Sequence, residues 1–191
     1  MAAKNLKSPR RIILSLALKY NYEKRHALMV EATALKLFDF LRTRSGLGDR
    51  DRSLLSHAAL LHDIGNFISD KSHHAHSKYL IEKDKSLSSY DAGSRHLLSL
   101  IAYNHRKKLH KDTLLLPPGE KEVVLKLSAI LRVADALDSS RDGLSVRQIE
   151  ETAAGLFISL GGPPPETLIA KLLKKKPLFC DVFGMDVQIK R

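Results

Sequence analysis

The segment Ala58-Ala59-Leu60-Leu61-His62-Asp63-Ile64-Gly65 constrains this chain more than any other. An apolar run leads directly into an adjacent His and Asp, and a Gly follows two residues later. A fold that buries the run also draws the pair inward, and a buried His-Asp pair is costly unless something neutralises and orients it. A divalent metal ion does both.

The pair is not isolated. Helical spacing puts His26 on one face with Val30, Leu37 and Leu41. His62 and Asp63 close the stripe of Leu54, Leu55, Ala58 and Leu61. His105 follows Leu98, Ile101 and Ala102, and Asp135 follows Val124, Leu127, Ser128 and Leu131, with the same periodicity. Four inward stripes therefore each carry a His or an Asp where a helical core wants apolar side chains. A single such histidine reads as a core residue with a hydrogen-bond partner. An ionised Asp135 on an apolar face reads less easily that way. Taken together, the four point to a divalent ion held by imidazole and carboxylate, which suits Mn, Fe, Co, Ni, Zn or Mg.

Punctuation gives the organisation. The first 143 residues read as helical, with Ser8-Pro9 opening a helix and further helices over about 23–42, 51–65, 72–82, 89–104 and 120–137. Asp51 and Ser72 are the expected caps of two of them, and 107–119 is a basic, proline-containing loop. Residues 144–191 read as a small α/β subdomain. It has strands over 144–150, 156–160, 178–182 and 187–189, and a helix over 166–175. The fold class expected is mainly α, a helical bundle with a small C-terminal α/β subdomain.

With 191 residues the chain can bury a substantial core. Its net charge of +11 asks for an anionic partner: a phosphorylated small molecule, a polyphosphate or a nucleic acid. Aromatics are only 6% and Trp is absent, so a base-stacking nucleic-acid platform is the less favoured of these. Cys180 is the single cysteine, which excludes an internal disulfide and fits a reducing cytoplasm. No stretch is apolar for the ~18 residues a membrane span needs. The Gly161-Gly162 pair precedes three prolines and is a turn, not a phosphate loop.

The ordered set His26, His62-Asp63, Asp135 resembles the HD superfamily of metal-dependent phosphohydrolases. Within it, four longer stretches are similar to the C-terminal HD-like region of the exopolyphosphatase/guanosine pentaphosphate phosphatase family. They are Leu60 to Ser69, His73 to Ile81, Tyr103 to Lys107 and Leu131 to Asp138. Lys176-Pro177-Leu178-Phe179 and Val182-Phe183-Gly184 extend the likeness into the tail.

The resemblance implies an HD-type helical domain over 1–143. It implies a metal set of His26, His62, Asp63 and Asp135, with His62 and Asp63 essential to catalysis. In two-metal relatives extra histidines are placed like His76 and His105, with the Asp of the pair bridging. His74 competes with His76 for that role. His57, His73, His96 and His110 read as surface or packing residues. Arg106, Lys107, Lys71, His74 and Arg132 are the expected phosphate-binding groups, and Asp138 orients a ligand or pairs with Arg141. Those longer relatives keep their phosphatase site in an actin-like module ahead of this region, for which 191 residues leave no room. An intact ligand set here points to chemistry in the helical domain itself: hydrolysis of a phosphoester or phosphoanhydride of a nucleotide, alarmone or similar molecule, with one or two divalent ions. The alternative is a polyphosphate- or polyanion-binding module whose metal site is structural or vestigial, favoured by Lys171, Lys174, Lys175 and Lys176. The sequence leaves open whether the C-terminal subdomain packs over the helices or forms a homodimer surface.

Overall fold

The computed structural model describes residues 8–88, 90–106, 108–139 and 143–190. Nine helices and three strands are formed among them: α1 (Pro9–Lys19), α2 (Lys24–Ser45), α3 (Asp49–Leu61), α4 (His73–Lys83), α5 (Ala92–Tyr103), α6 (Lys111–Leu115), α7 (Pro118–Leu137), β1 (Val146–Thr152), β2 (Gly155–Leu160), α8 (Glu166–Lys175), α9 (Pro177–Phe183) and β3 (Val187–Lys190). The architecture is mainly α with a small α/β part at the C-terminal end. None of the helices is long and apolar enough to cross a membrane.

Helix α7 is the central element. Every residue from Leu127 to Leu137 is buried, including Arg132 and Asp135. It is packed by α2, α3, α5, α6, α8 and α9. A helix surrounded in this way has no solvent face over its last three turns, so polar groups there must find partners inside. Around it, α3 packs on α1, α2 and α5, and α4 packs on α5. Phe38, Leu37, Leu41, Leu55, Leu60, Leu61, Ile101 and Ile130 form the centre of the core.

Strand β1 pairs antiparallel with β2, and β2 pairs parallel with β3. A parallel pair needs a crossover, and α8 and α9 supply it. Residues 178–182, expected as a strand, are instead the body of α9. Leu178, Phe179, Val182 and Phe183 recur at helical spacing, Pro177 stands at the first helical turn, and Gly184 closes the helix at φ 67°. The expected loop 107–119 contains the short α6. Ser72 precedes α4 in a left-handed conformation without capping it through its side chain. Gly48, not Asp51, is the N-cap of α3, and its N–H donates to Asp51 Oδ2 at 2.8 Å.

The turn after the His-Asp pair fixes α3 against α4. Ser77 Oγ donates to the carbonyl of His62 at 2.7 Å and accepts from the N–H of Gly65 at 2.8 Å. Gly65 lies so close to α4 that a Cβ there would stand 2.0 Å from the His73 carbonyl oxygen and 2.5 Å from the Ser77 nitrogen. Both atoms are backbone, so neither can turn aside. Gly65→Ala should therefore cost about 2–4 kcal/mol, read as a lowered midpoint in urea, whereas Gly119→Ala, where nothing lies within 4 Å of the added carbon, should leave the midpoint nearly unchanged.

Candidate metal centre

Three helices and the turn after α3 converge at the C-terminal end of α7. His26, in the first turn of α2, directs Nε2 towards Asp135 Oδ1 (3.6 Å) and Asp63 Oδ2 (3.8 Å). Its ring is held from behind, because Nδ1–H donates to Asp138 Oδ2 at 2.7 Å. His62 is fully buried, and its Nδ1–H donates to the Ala59 carbonyl at 2.8 Å. That commits the proton to Nδ1 and leaves Nε2 a lone pair, 3.5 Å from Asp63 Oδ2. Nε2 of His62 is buried without a hydrogen-bond partner.

A second group faces the other oxygen of Asp63. His73 Nε2 lies 3.2 Å and His105 Nε2 3.5 Å from Asp63 Oδ1. His73 Nδ1 is 2.9 Å from the Asp70 carbonyl and His105 Nδ1 is 2.6 Å from the Ala102 carbonyl. Both rings therefore carry their proton on Nδ1 and turn lone pairs inward, and the two Nε2 atoms stand 3.2 Å apart. Facing lone pairs repel unless a proton or a cation lies between them. The donor atoms fall into two sets, each within 4.8 Å: His26, His62 and Asp135, and Asp63, His73 and His105. Imidazole with carboxylate suits a divalent first-row ion or Mg. Together with the orphaned Nε2 of His62, these sets fit the expected group.

Burial sets the charges. It pushes the pKa of His62 down to about 4 and that of His105 well below its ordinary value, so both are neutral ligand-type imidazoles near pH 7. Burial opposes ionisation of Asp63, yet His62, His105, His73 and His26 around it hold its carboxyl below the usual range. Lys175, from α8, contacts Asp135 Oδ2. Burial lowers its pKa to about 8.

Five of the six expected ligands, His26, His62, Asp63, His105 and Asp135, meet here. His76 does not join either set, and His73 takes the place assigned to it. The buried stripe of α4 is His73, Ser77, Leu80 and Ile81, the i, i+4, i+7, i+8 pattern. His76 falls outside that stripe, on the side where its Cβ meets Gly65. His73, expected as a surface or packing residue, is thus the α4 histidine that the structure turns towards Asp63.

The centre opens into a cavity of about 630 Å³ lined by Arg106, Lys108, Lys171 and Lys174, by His74 and Asp70, and by the more buried Lys175. Of the expected phosphate-binding groups, Arg106 and His74 line it. Lys71 is exposed on the turn before α4 and does not. Arg132 does not either: it is buried, and its Nε donates to the Asn104 carbonyl at 2.6 Å, bracing α7 against the end of α5. Lys107 and Arg141 lie outside the described residues. The loop bearing Arg106 and Lys108 is pinned by Asn104, whose amide donates to Thr113 Oγ1 and whose oxygen accepts from the N–H of His110.

Residues 10–156 match the sequence model of Ppx/GppA phosphatase, domain III. The chain belongs to this family. It is 33% identical over 127 residues to a guanosine-5'-triphosphate,3'-diphosphate pyrophosphatase of Aeromonas hydrophila, an alignment covering 63% of this chain and 24% of the relative. It is 31% identical over 158 residues to the Aeromonas salmonicida protein of the same name, covering 77% of this chain and 31% of the relative. The chain thus spans a quarter to a third of the curated relatives it matches.

Two outcomes follow from this geometry. Asp138→Ala frees the His26 ring and should weaken binding of added Mn2+ by about 10–100-fold in calorimetry. In chelator-treated protein, His57 and His62 have pKa values lowered to about 4, chiefly by burial, while unfolded histidine titrates near 6.5. Between these values the unfolded chain binds more protons than the folded one, so stability falls as pH drops from about 6.5 towards 4. Urea midpoints across that window should fall steadily, and a flat profile would contradict the burial of these rings.

Proposed function

We propose that this chain is an HD-type, metal-dependent phosphohydrolase acting on a phosphoester or phosphoanhydride of a small phosphorylated molecule, of the nucleotide or alarmone class. The observation that carries the reading is the Asp63 carboxylate, with one oxygen turned to each of two sets of inward-facing imidazoles. The family membership and the pyrophosphatase activity for which the Aeromonas relatives are named support a phosphorylated nucleotide as substrate.

The ligands are His26, His62, Asp63, His73, His105 and Asp135, a number that suits two ions. A divalent ion supplies Lewis-acid stabilisation of phosphoryl charge and lowers the pKa of water. The protein does the rest. Asp138 and the carbonyls of Ala59, Asp70 and Ala102 fix the tautomer and direction of each imidazole. Arg106, Lys108 and Lys174 draw phosphate to the rim, and Arg106 offers a planar fork for a phosphoryl group. Hydrolysis forms a bond from a water oxygen to phosphorus, breaks the bond to the leaving oxygen, and places a proton on the leaving group.

A second reading has the basic rim as a polyphosphate- or polyanion-binding module with a structural metal site, and the lysines of α8 favour it. The two separate in one screen. Phosphate release from a panel of nucleotides and alarmones is measured with Mn2+, Co2+ and Mg2+, for wild type, His62→Ala and Asp63→Ala. The phosphohydrolase reading expects release that chelator abolishes and that each substitution lowers at least about a hundredfold. Release that survives both substitutions would falsify it. Salt-sensitive polyphosphate binding that ignores both substitutions, without any release, is the signature of the module.

A further inference from the structure

Lys175 is the last residue of α8, and its side chain is only 17% exposed. Leu168 and Leu172 bury one face of α8. Lys171 and Lys175 follow one turn apart and both reach the end of α7. Lys171 Nζ donates to the Ser139 carbonyl at 3.1 Å, and Lys175 Nζ pairs with Asp135 Oδ2. Asp135 turns its other oxygen towards His26. Among the described residues, Lys175 is the one lysine or arginine paired with any of the carboxylates of Asp63, Asp135 and Asp138. An ammonium and a divalent ion sharing one carboxylate repel each other at close range. Three carboxylates brought together in a buried floor also need positive charge before any ion arrives.

We propose that Lys175 is a built-in counter-cation that holds the place of a divalent ion at Asp135, so that loading the centre expels its ammonium into the cavity. The inference rests on the metal-centre reading above and adds a cost to metal binding that α8 imposes. Displaced on its four-carbon stem, Nζ moves to the rim beside Arg106 and Lys174, where a phosphoryl oxygen is its natural partner. The C-terminal part thereby links metal loading to the presentation of a substrate-binding cation.

The test is calorimetric titration of the full chain with Mn2+, comparing wild type with Lys175→Met, Lys175→Arg and Lys174→Met. Lys175→Met should bind Mn2+ about tenfold or more tightly than wild type. Lys175→Arg keeps the charge and should stay within about threefold. Lys174→Met removes an equal charge from the exposed neighbour and should also change affinity less than about threefold. Independently of any variant, saturating Mn2+ should speed amide hydrogen exchange in the last turn of wild-type α8 as its anchor at Asp135 is lost. If wild type binds Mn2+ but Lys175→Met binds no more tightly, or α8 exchange does not respond, the counter-cation role is overturned and the metal centre stands. If neither wild type nor Lys175→Met binds Mn2+, Co2+ or Zn2+, the metal centre itself falls, and this inference with it.

Discussion

The carboxylate of Asp63 is the constraint on which the rest of the site depends. One of its oxygens lies 3.2–3.5 Å from the Nε2 atoms of His73 and His105, and the other 3.5–3.8 Å from those of His62 and His26. Four rings from α2, the end of α3, α4 and the end of α5 must therefore be brought to one anion. Each is aimed by its other nitrogen, three of them by backbone carbonyls and His26 by Asp138. For three of the four rings the tautomer is thus set by backbone carbonyls, with no extra side chain, and every Nε2 is turned inward for a ligand. Without positive charge among them, inward lone pairs and carboxylates at these distances would work against the fold.

The backbone around Asp63 has little latitude as a result. Ser77 ties the His62 carbonyl to the Gly65 amide, and the absence of a Cβ at Gly65 lets α4 approach close enough to deliver His73. The same close approach carries the His62 ring inside, where burial keeps it neutral. Packing and ligand chemistry are here one requirement, and a change that loosens the α3–α4 contact also alters which atoms face Asp63.

Much of this was legible in the sequence, because burial and periodicity are local signals. His26, His62, Asp63, His105 and Asp135 each stand on an apolar stripe, and each reaches the centre. For the second histidine of the other set the sequence points to His76, whereas the structure brings His73 to that place. The exact phase of α4 depends on its contact with Gly65, which a one-dimensional pattern does not contain. Similarly, 178–182 is rich in strand-forming residues, yet Pro177 and Gly184 bound a helix that α7 can cover. Arg132 looked like a phosphate ligand because it neighbours Asp135 in sequence. On a helix buried all round, it faces α5 instead. Lys175 carried no signal of its own, since its proximity to Asp135 follows from the crossover that brings α8 back over α7.

The excess positive charge is not spread evenly. Many basic residues away from the cavity are paired: Arg10 with Glu31, Lys19 with Asp84, Arg44 with Glu151 and Arg52 with Asp39. At the rim, Arg106, Lys108, Lys171 and Lys174 line the opening, and among the described residues none of these four is in an ion pair with a carboxylate. The floor below them carries Asp63, Asp135 and Asp138. Positive charge thus predominates at the opening, with the exposed Asp70 as an acidic exception, above a negative floor, which suits a phosphate entering from solvent and a cation held beneath it. Low-dielectric walls focus such a field. A lysine that reaches from the rim to the floor sits on the line between the two, and its position then reports how much cation the floor already holds.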